Sequence, residues 1–407
     1  MLKLINNFEK KPNSLIDVEI EKILKSLNKF SKKILSSKNF LNNRYRGYGL
    51  PFIADWCSRS NLEKILYDSF GSLESLNKFS VKNRLKFKIL PKGLAVHWIA
   101  GNVPTLGFLS LILGIITKNK NIVRLPSFSK NVLVDLLKEF KKIDNVAQKI
   151  VNNILILKYD KKDVKISEKL SKIADTKVIW GGDEVCETLK NLPTKLDCDN
   201  LIFSNKISFI IVDKDSLKKN TNLFIKKITR DILIFDQKAC ASPHTIFLQG
   251  ATEKQIFSFS KKLSRNLKET YKKYQFSPIT NQKKIRILNL RLKYSLRHKV
   301  FSDHDDLNST VLYDDKSTIG PVIENGTIFI RKLPKLIYIK TNFPKNIQTL
   351  GVTKITKNLE PYINELQKIG LARVKVVGQM TNFDSTWDGL NIPLKLTKYS
   401  TLPRAKK

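Results

Sequence analysis

Cys240 is the residue of this chain best placed to do chemistry. It stands in the polar run Phe235-Asp236-Gln237-Lys238-Ala239-Cys240-Ala241-Ser242-Pro243-His244, between a helical pattern and the apolar strand Thr245-Ile246-Phe247-Leu248. A thiol at such a junction is a candidate nucleophile, because the reactive species is the thiolate and it needs a polar, reachable setting. A second chemical segment lies far upstream. There the apolar run from Gly93 to Ile99 reads as a strand that ends in the turn Gly101-Asn102-Val103-Pro104 and then opens a helix. Together the two segments point to acyl-transfer chemistry beside a bound nucleotide.

Elements must hold these segments in place, and the periodicity supplies them. Residues 16 to 38 have helical spacing and 61 to 70 offer a second short helix, which makes a helical lead-in. Strands are expected at 87–90, 94–99, 121–125, 154–159, 177–180 and 207–212, with helices at 105–117, 130–142, 167–174 and 184–189 between them. A long helical pattern, 216–238, leads into the Cys240 turn. Beyond it come a strand at 245–248, helix over 252–293, strands at 309–313, 327–331, 336–339 and 373–377, and a helix at 359–369. Strands alternating with helices predict doubly wound, mostly parallel sheets. At 407 residues the chain exceeds one compact core, so two α/β domains are expected, with the main boundary near Asp213.

Composition removes several function classes. The formal charge of +38 is spread from end to end with no run of five basic residues, so no specific nucleic-acid site is expected; a solvated basic surface that steers anionic substrates is the simpler reading. Cys57, Cys186, Cys198 and Cys240 show no Cys-x-x-Cys spacing, and with four scattered histidines they form no zinc pattern, so no metal is expected and the thiols read as reduced and cytoplasmic. Residues 93 to 117 carry no Lys, Arg, Asp or Glu, long enough for a membrane span, but the Gly101 to Pro104 turn divides the run into strand and helix.

Collinear pieces from residue 85 to 395 resemble the acyl-CoA reductase family, the LuxC type of fatty-acid and long-chain acyl-protein thioester reductase known from bacterial luminescence, within the aldehyde dehydrogenase superfamily. The pieces are Gly101-Asn102-Val103-Pro104, Thr117-Lys118-Asn119 with Asn121-Ile122-Val123-Arg124, and Trp180-Gly181-Gly182-Asp183-Glu184. They continue with Phe235-Asp236-Gln237 to Pro243, Gln348-Thr349-Leu350-Gly351, Gly370 to Arg373 with Gly378, and Trp387-Asp388-Gly389. The resemblance implies an aldehyde dehydrogenase-like fold. Its parts would be N-terminal helices plus an NADP-binding domain over 1–213, a catalytic thiol domain over 214–384, and a segment over 385–407 that returns to the domain interface.

The implied reaction is NADPH-dependent reduction of an acyl thioester to an aldehyde, with Cys240 as nucleophile and Asn102 as oxyanion donor. Arg124 and Ser127 match the positions that meet the adenosine ribose and would admit a 2′-phosphate, so NADPH is the implied cofactor. Gly181 and Gly182 would let backbone approach the pyrophosphate. The implied donor is an acyl-CoA or an acylated protein, with an acyl-activating partner enzyme, and the chain is expected to be a homo-oligomer. One position departs from the oxidising relatives: their water-activating glutamate is replaced by Ile202 in Ile202-Phe203-Ser204-Asn205-Lys206.

Blander readings stand beside these. His244 opens an apolar strand and is read as structural, His97 as a hydrogen-bonded core histidine, and Gly181-Gly182 equally well as a plain turn. His298 and His304 sit in polar stretches and indicate nothing. Asp388 either closes the site or caps a turn. At the level of function, the alternatives are a CoA-acylating aldehyde dehydrogenase working oxidatively, and a non-catalytic basic protein that binds nucleic acid or a membrane surface.

Overall fold

The computed structural model describes residues 1–36, 45, 49–82, 85–128, 131–219, 221–273, 279–303 and 305–403. Its chain divides into two units, Met1–Ser204 with Phe383–Lys407, and Asn205–Asn382. His304 and Lys130, the expected start of the fourth helix, lie outside the described residues.

In the first unit the apolar run 93–117 becomes the strand Leu94–Trp98 and the helix Leu106–Ile116, both buried at every residue. The helix can lie this close to the sheet because Gly114 has no side chain: a Cβ there would stand 1.9 Å from Asn121 Oδ1. Its polar fastening is internal as well. His97 Nδ1 pairs with Ser110 Oγ at 2.8 Å, His97 Nε2 with Asn121 Oδ1 at 3.1 Å, and Trp180 Nε1 donates to Ser110 Oγ at 3.0 Å. Among the described residues no helix is long and apolar enough to cross a membrane.

Five parallel strands form this unit's main sheet in the order Ile154–Tyr159, Lys120–Pro126, Leu94–Trp98, Thr176–Trp180, Asp199–Phe203. The strand direction of chain winding reverses between Leu94–Trp98 and Thr176–Trp180, and in sheets of this kind ligands bind beyond the carboxyl ends of the strands at that reversal. The helical lead-in is present as Ile20–Leu35 and Arg59–Phe70, preceded by a further helix, Leu2–Lys10; Phe30 of Ile20–Leu35 packs its ring 5.9 Å from Phe108 and 5.2 Å from Phe140. The last strand, Thr397–Leu402, pairs antiparallel with Leu85–Pro91 in a separate three-stranded sheet.

The second unit is a seven-stranded sheet in the order Lys299–Phe301, Thr310–Tyr313, Thr327–Lys332, Pro243–Leu248, Ile207–Val212, Ile347–Val352, Arg373–Val376. All its pairings are parallel except that of the edge strand Lys299–Phe301. The boundary expected at Asp213 therefore falls earlier. Ile207–Val212, assigned to the first domain by sequence, is a central strand here, paired on one side with Pro243–Leu248 and on the other with Ile347–Val352.

Two further expectations change. The segment 336–339 is not a strand: Leu336–Tyr338 is a 3-10 turn running into the helix Ile339–Asn342, with Ile337 and Tyr338 exposed. The long helix 216–238 is broken into Lys214–Lys218 and Thr221–Leu233, followed by a turn in which Phe235, Asp236 and Gln237 have φ of 53°, 58° and 59°.

Candidate active site

Left-handed backbone costs a non-glycine residue about 1–2 kcal/mol, so three in a row, ending three residues before Cys240, need support from their surroundings. The buried Gln237 provides it by donating from Nε2 to the carbonyls of Pro243 (2.9 Å) and Thr327 (3.1 Å). Asp236 is buried too; burial pushes its carboxyl up, while Lys238 Nζ at 2.8 Å opposes that rise. Backbone strain of this kind gathers at functional sites, where the fold holds a group in a set pose.

That turn delivers Cys240 to the amino ends of three adjacent parallel strands. Ser208 Oγ, on Ile207–Val212, donates to the Cys240 carbonyl at 2.7 Å and accepts from Thr349 N at 3.2 Å. Gln348, on Ile347–Val352, donates from Nε2 to Cys240 Sγ at 3.1 Å. Both pairings of Ile207–Val212 slip register at this end, between Ser208 and Phe209 on one side and between Ile347 and Leu350 on the other. Such irregularities re-aim side chains, and here they turn Ser208 and Gln348 onto the cysteine. Ser208 and Gln348 are fully buried, whereas Cys240 is only partly so.

The other thiols have different settings. Cys57 is wholly buried and burial pushes its thiol far up; Cys186 is buried in the first unit and pushed up to about 11 by the same cause. Cys198 Sγ donates to the Asp199 carbonyl at 3.6 Å.

In the first unit, the carboxyl ends of three strands carry the remaining candidates. Asn102 is exposed in the turn after Leu94–Trp98, beside Gly101, where a Cβ would stand 2.6 Å from the Phe128 ring. Arg124, next to Trp98 in the register, is half-buried, and burial lowers its pKa from the ordinary guanidinium value. Its Nη2 donates to the Tyr159 carbonyl at 3.2 Å, and the guanidinium lies 5.1 Å from the centre of the Tyr159 ring. Ser127 follows directly on Pro126 and is exposed. Gly181 and Gly182 join Thr176–Trp180 to the helix Asp183–Lys190. The Gly181 N–H is taken by the Phe203 carbonyl at 3.2 Å, and the helix's first turn holds the exposed Asp183 and Glu184. Those acids answer the helix dipole themselves and work against a phosphate at this end.

Other residues singled out by sequence receive structural explanations. His244 is buried, with Nδ1 lacking a hydrogen-bond partner among the described residues, and burial drops its pKa to about 4, so it is a neutral ring at pH 7. His97 is held in the same way at about 4. His298 caps the helix Asn281–Arg297, its ring 5.2 Å from that of Tyr294. Asp388 (φ 50°) and Gly389 (φ 77°) are the two central residues of the hairpin Thr386–Trp387 to Leu390–Asn391, a turn that needs left-handed backbone at both positions. Thr117-Lys118-Asn119 ends the crossover helix through Lys118 at φ 59°, with Asn119 accepting from Gly93 N and donating to the Leu396 carbonyl. Ile202 is half-buried on Asp199–Phe203 and packs into the cluster that holds Ile179, Cys186 and Leu189.

Sequence reasoning missed two contributors. Gln348 opens a run already noted in the sequence but was given no role, and a polar residue in an otherwise apolar buried strand was the available signal. Ser208 carried no signal, since its partner arises only from strand order. Among the described residues no group of three or more His, Cys, Asp or Glu side chains could hold a metal ion.

Comparison with known proteins is consistent across sequence and structure. The chain is 30% identical over 223 residues to a long-chain acyl-protein thioester reductase of Aliivibrio fischeri, a stretch that is 51% of this chain and 44% of that relative. It is 27% identical over 220 residues to a protein of the same name from Photorhabdus luminescens, with the same coverage of 51% and 44%. The matched stretch thus spans less than half the length of these curated relatives. By structure the chain is similar to a lactaldehyde dehydrogenase (TM-score 0.69, 12% identity, covering 98% of this chain and 90% of that one). It is similar also to a betaine aldehyde dehydrogenase of Staphylococcus aureus solved in complex with NAD+ (TM-score 0.66, 12% identity, 99% and 88%). At such identities the likeness establishes the fold, which is that of the aldehyde dehydrogenases. The model of the acyl-CoA reductase (LuxC) family matches residues 15–399, nearly the whole chain, and the chain belongs to that family.

Proposed function

We propose that this protein reduces an acyl thioester, a fatty acyl group carried by CoA or by a protein, to the aldehyde, using NADPH and a covalent intermediate on Cys240. The observation that carries the reading is the partly exposed Cys240, presented by a strained turn with the Gln348 amide N–H aimed at its sulfur at 3.1 Å. The names of the relatives support a long-chain acyl group on a protein thioester, and hence an acyl-activating partner enzyme that loads it.

In this reading the Cys240 thiolate attacks the thioester carbonyl, a C–S bond forms, and the carbonyl electrons move to oxygen. Asn102 donates to that oxyanion until the donor thiolate leaves with the C–S electrons. Bound NADPH would supply the hydride that reduces the acyl-enzyme. Collapse of the resulting thiohemiacetal oxyanion restores the carbonyl as aldehyde and returns the electron pair to the Cys240 sulfur. Sulfur suits both halves, as a strong nucleophile when ionised and a good leaving group. With Ile202 aliphatic and packed in an apolar cluster, and His244 buried and made a weak base by that burial, neither has the setting of a base for hydrolysis of the acyl-enzyme.

The residues at the first sheet's carboxyl end fit a 2′-phosphorylated nucleotide in charge. Arg124 brings a cation and planar donors, and Ser127 places no carboxylate where a 2′-phosphate would lie. In this reading the cofactor's pyrophosphate would lie by Gly181 and Gly182, although Asp183 and Glu184 disfavour close contact. Ser127→Glu is expected to weaken NADPH binding roughly fivefold or more, the effect of one like charge a few Å from the phosphate, and to improve NADH. Titration of cofactor fluorescence measures both. Equal affinities of the variant and the wild type for NADPH would remove Ser127 from the cofactor site.

The function itself is tested by offering acyl-CoAs of increasing chain length, and an acylated carrier protein, with NADPH, and following NADPH absorbance together with trapped aldehyde. One aldehyde per NADPH consumed is expected. NADPH binding without aldehyde from any acyl thioester would overturn the proposal.

A further inference from the structure

We propose that Gln348 is a positioning residue that holds Cys240 as a thiolate through its side-chain amide, an inference that rests on reading Cys240 as the nucleophile. A thiol sulfur accepts a hydrogen bond weakly, whereas a thiolate accepts strongly, as charged acceptors do. A donor fixed on the sulfur therefore favours the ionised form. Gln348 Nε2 lies 3.1 Å from Sγ, and the amide is not free to turn: Thr349 Oγ1 donates to Gln348 Oε1 at 3.3 Å, which keeps the nitrogen toward the sulfur. The side chain is fully buried, so water does not compete for the donor.

Among the described residues, the charged and titratable groups next in sequence or strand order to Cys240 do not account for a thiolate as simply. Lys238, in the same turn, is ion-paired with Asp236 at 2.8 Å. His244, on the strand that follows, is neutral at pH 7. The neighbouring strand ends contribute Ser208, Gln348 and Thr349, all uncharged, with Lys206 just before the first of them. Ser208 Oγ on the Cys240 carbonyl fixes the backbone from which the sulfur projects toward the amide.

The same contact serves both ends of the reaction. Once the sulfur carries an acyl group its electrons are shared with the carbonyl and it accepts poorly, so the Gln348 bond is strongest in the free thiolate. It stabilises the nucleophile before attack and the leaving group when the C–S bond of the thiohemiacetal breaks and its electron pair returns to sulfur.

The test reads the sulfur directly. Iodoacetamide alkylation of Cys240 is followed across pH by mass spectrometry of the peptide that contains it, in wild type, Gln348→Leu and Gln348→Glu. Gln348→Leu is expected to move the profile to higher pH and slow alkylation at pH 7 by about tenfold, the value of one charge-assisted hydrogen bond. Gln348→Glu, of the same shape but with a negative charge facing the sulfur, is expected to move it further still. Coincident profiles, or a Glu variant more reactive at pH 7 than the Leu variant, would overturn the proposal. Loss of packing alone would not produce this order, since Glu preserves the volume of Gln. The result is separable from the reductase reading. Shifted profiles in a protein that makes no aldehyde would retain Gln348 and discard the reaction, and aldehyde formation with unshifted profiles would do the reverse.

Discussion

Cys240→Ala is expected to abolish aldehyde formation, with a loss on the order of 10⁴-fold or more, as removal of a covalent nucleophile does in other acyl-transfer enzymes. Incubation of the wild type with a radiolabelled acyl thioester, NADPH withheld, should leave a hydroxylamine-sensitive label on Cys240, because a thioester is cleaved by hydroxylamine and an amide or ether is not. The settings of the other thiols set the contrast. Cys57 and Cys186 are buried with their ionisation suppressed, so Cys57→Ala and Cys186→Ala should keep the label. Cys198→Ala should keep it as well, since Cys198, on the loop before Asp199–Phe203, gives its S–H to the Asp199 carbonyl. Because Cys57 is wholly buried, its variant is best compared at matched folded concentration; loss of a buried side chain lowers stability without touching the labelled sulfur. A label that persists in Cys240→Ala would defeat the covalent mechanism at this residue.

The alternating pattern of strands and helices was legible because buried parallel strands read as short apolar runs and crossover helices as longer ones. Leu94–Trp98 with Leu106–Ile116 shows the strength of that signal, since a turn of four residues sufficed to part them. The signal failed where local sequence and long-range pairing disagree. Phe235, Asp236 and Gln237 look like helix continuing from Thr221–Leu233; what bends them is the hold of Gln237 on Pro243 and Thr327, the latter 90 residues away. Ile347–Val352 does not read as a strand because Gln348 and Thr349 interrupt its apolar run, whereas Leu336–Ile339 does, although two of its four side chains lie in solvent.

The site was legible in part for the same reason. Cys240 could be singled out because its neighbourhood is polar and lies at the edge of elements. Its pairing with Ser208 and Gln348 is not legible there, since these reach Cys240 through the order of strands in the sheet, which no short window of sequence contains, even though the polar Gln348 stands out in its own strand. The early domain boundary has this cause too: Ile207–Val212 follows Asp199–Phe203 after three residues, yet the two strands belong to different sheets.

Asn102→Ala is expected to lower the rate of aldehyde formation by a factor on the order of 10² to 10³, about 3 to 4 kcal/mol, the usual cost of losing one oxyanion donor. In the proposed mechanism both tetrahedral adducts, the one formed from the thioester and the one that collapses to aldehyde, would carry negative charge on the former carbonyl oxygen, so Asn102 as donor would act twice. Acylation of Cys240 and hydride transfer should therefore slow together, which single-turnover measurements with and without NADPH can resolve. The turn that holds Asn102 is tight, with Gly101 against the Phe128 ring and Val103 buried, and a disturbed turn would also slow the reaction. The two causes differ in their effect on cofactor. Asn102 is exposed, and Phe128, the neighbour of Ser127 in sequence, borders the same turn, so collapse of the backbone is expected to weaken NADPH binding, whereas loss of the amide donor alone should leave it nearly unchanged. Asn102→Asp sharpens the distinction, for it keeps the shape and the turn preference of the residue but replaces the donor with a negative charge facing an oxyanion; it should be slower than Asn102→Ala while binding NADPH similarly. An alanine variant with wild-type turnover would assign Asn102 to the turn and leave the oxyanion to backbone donors.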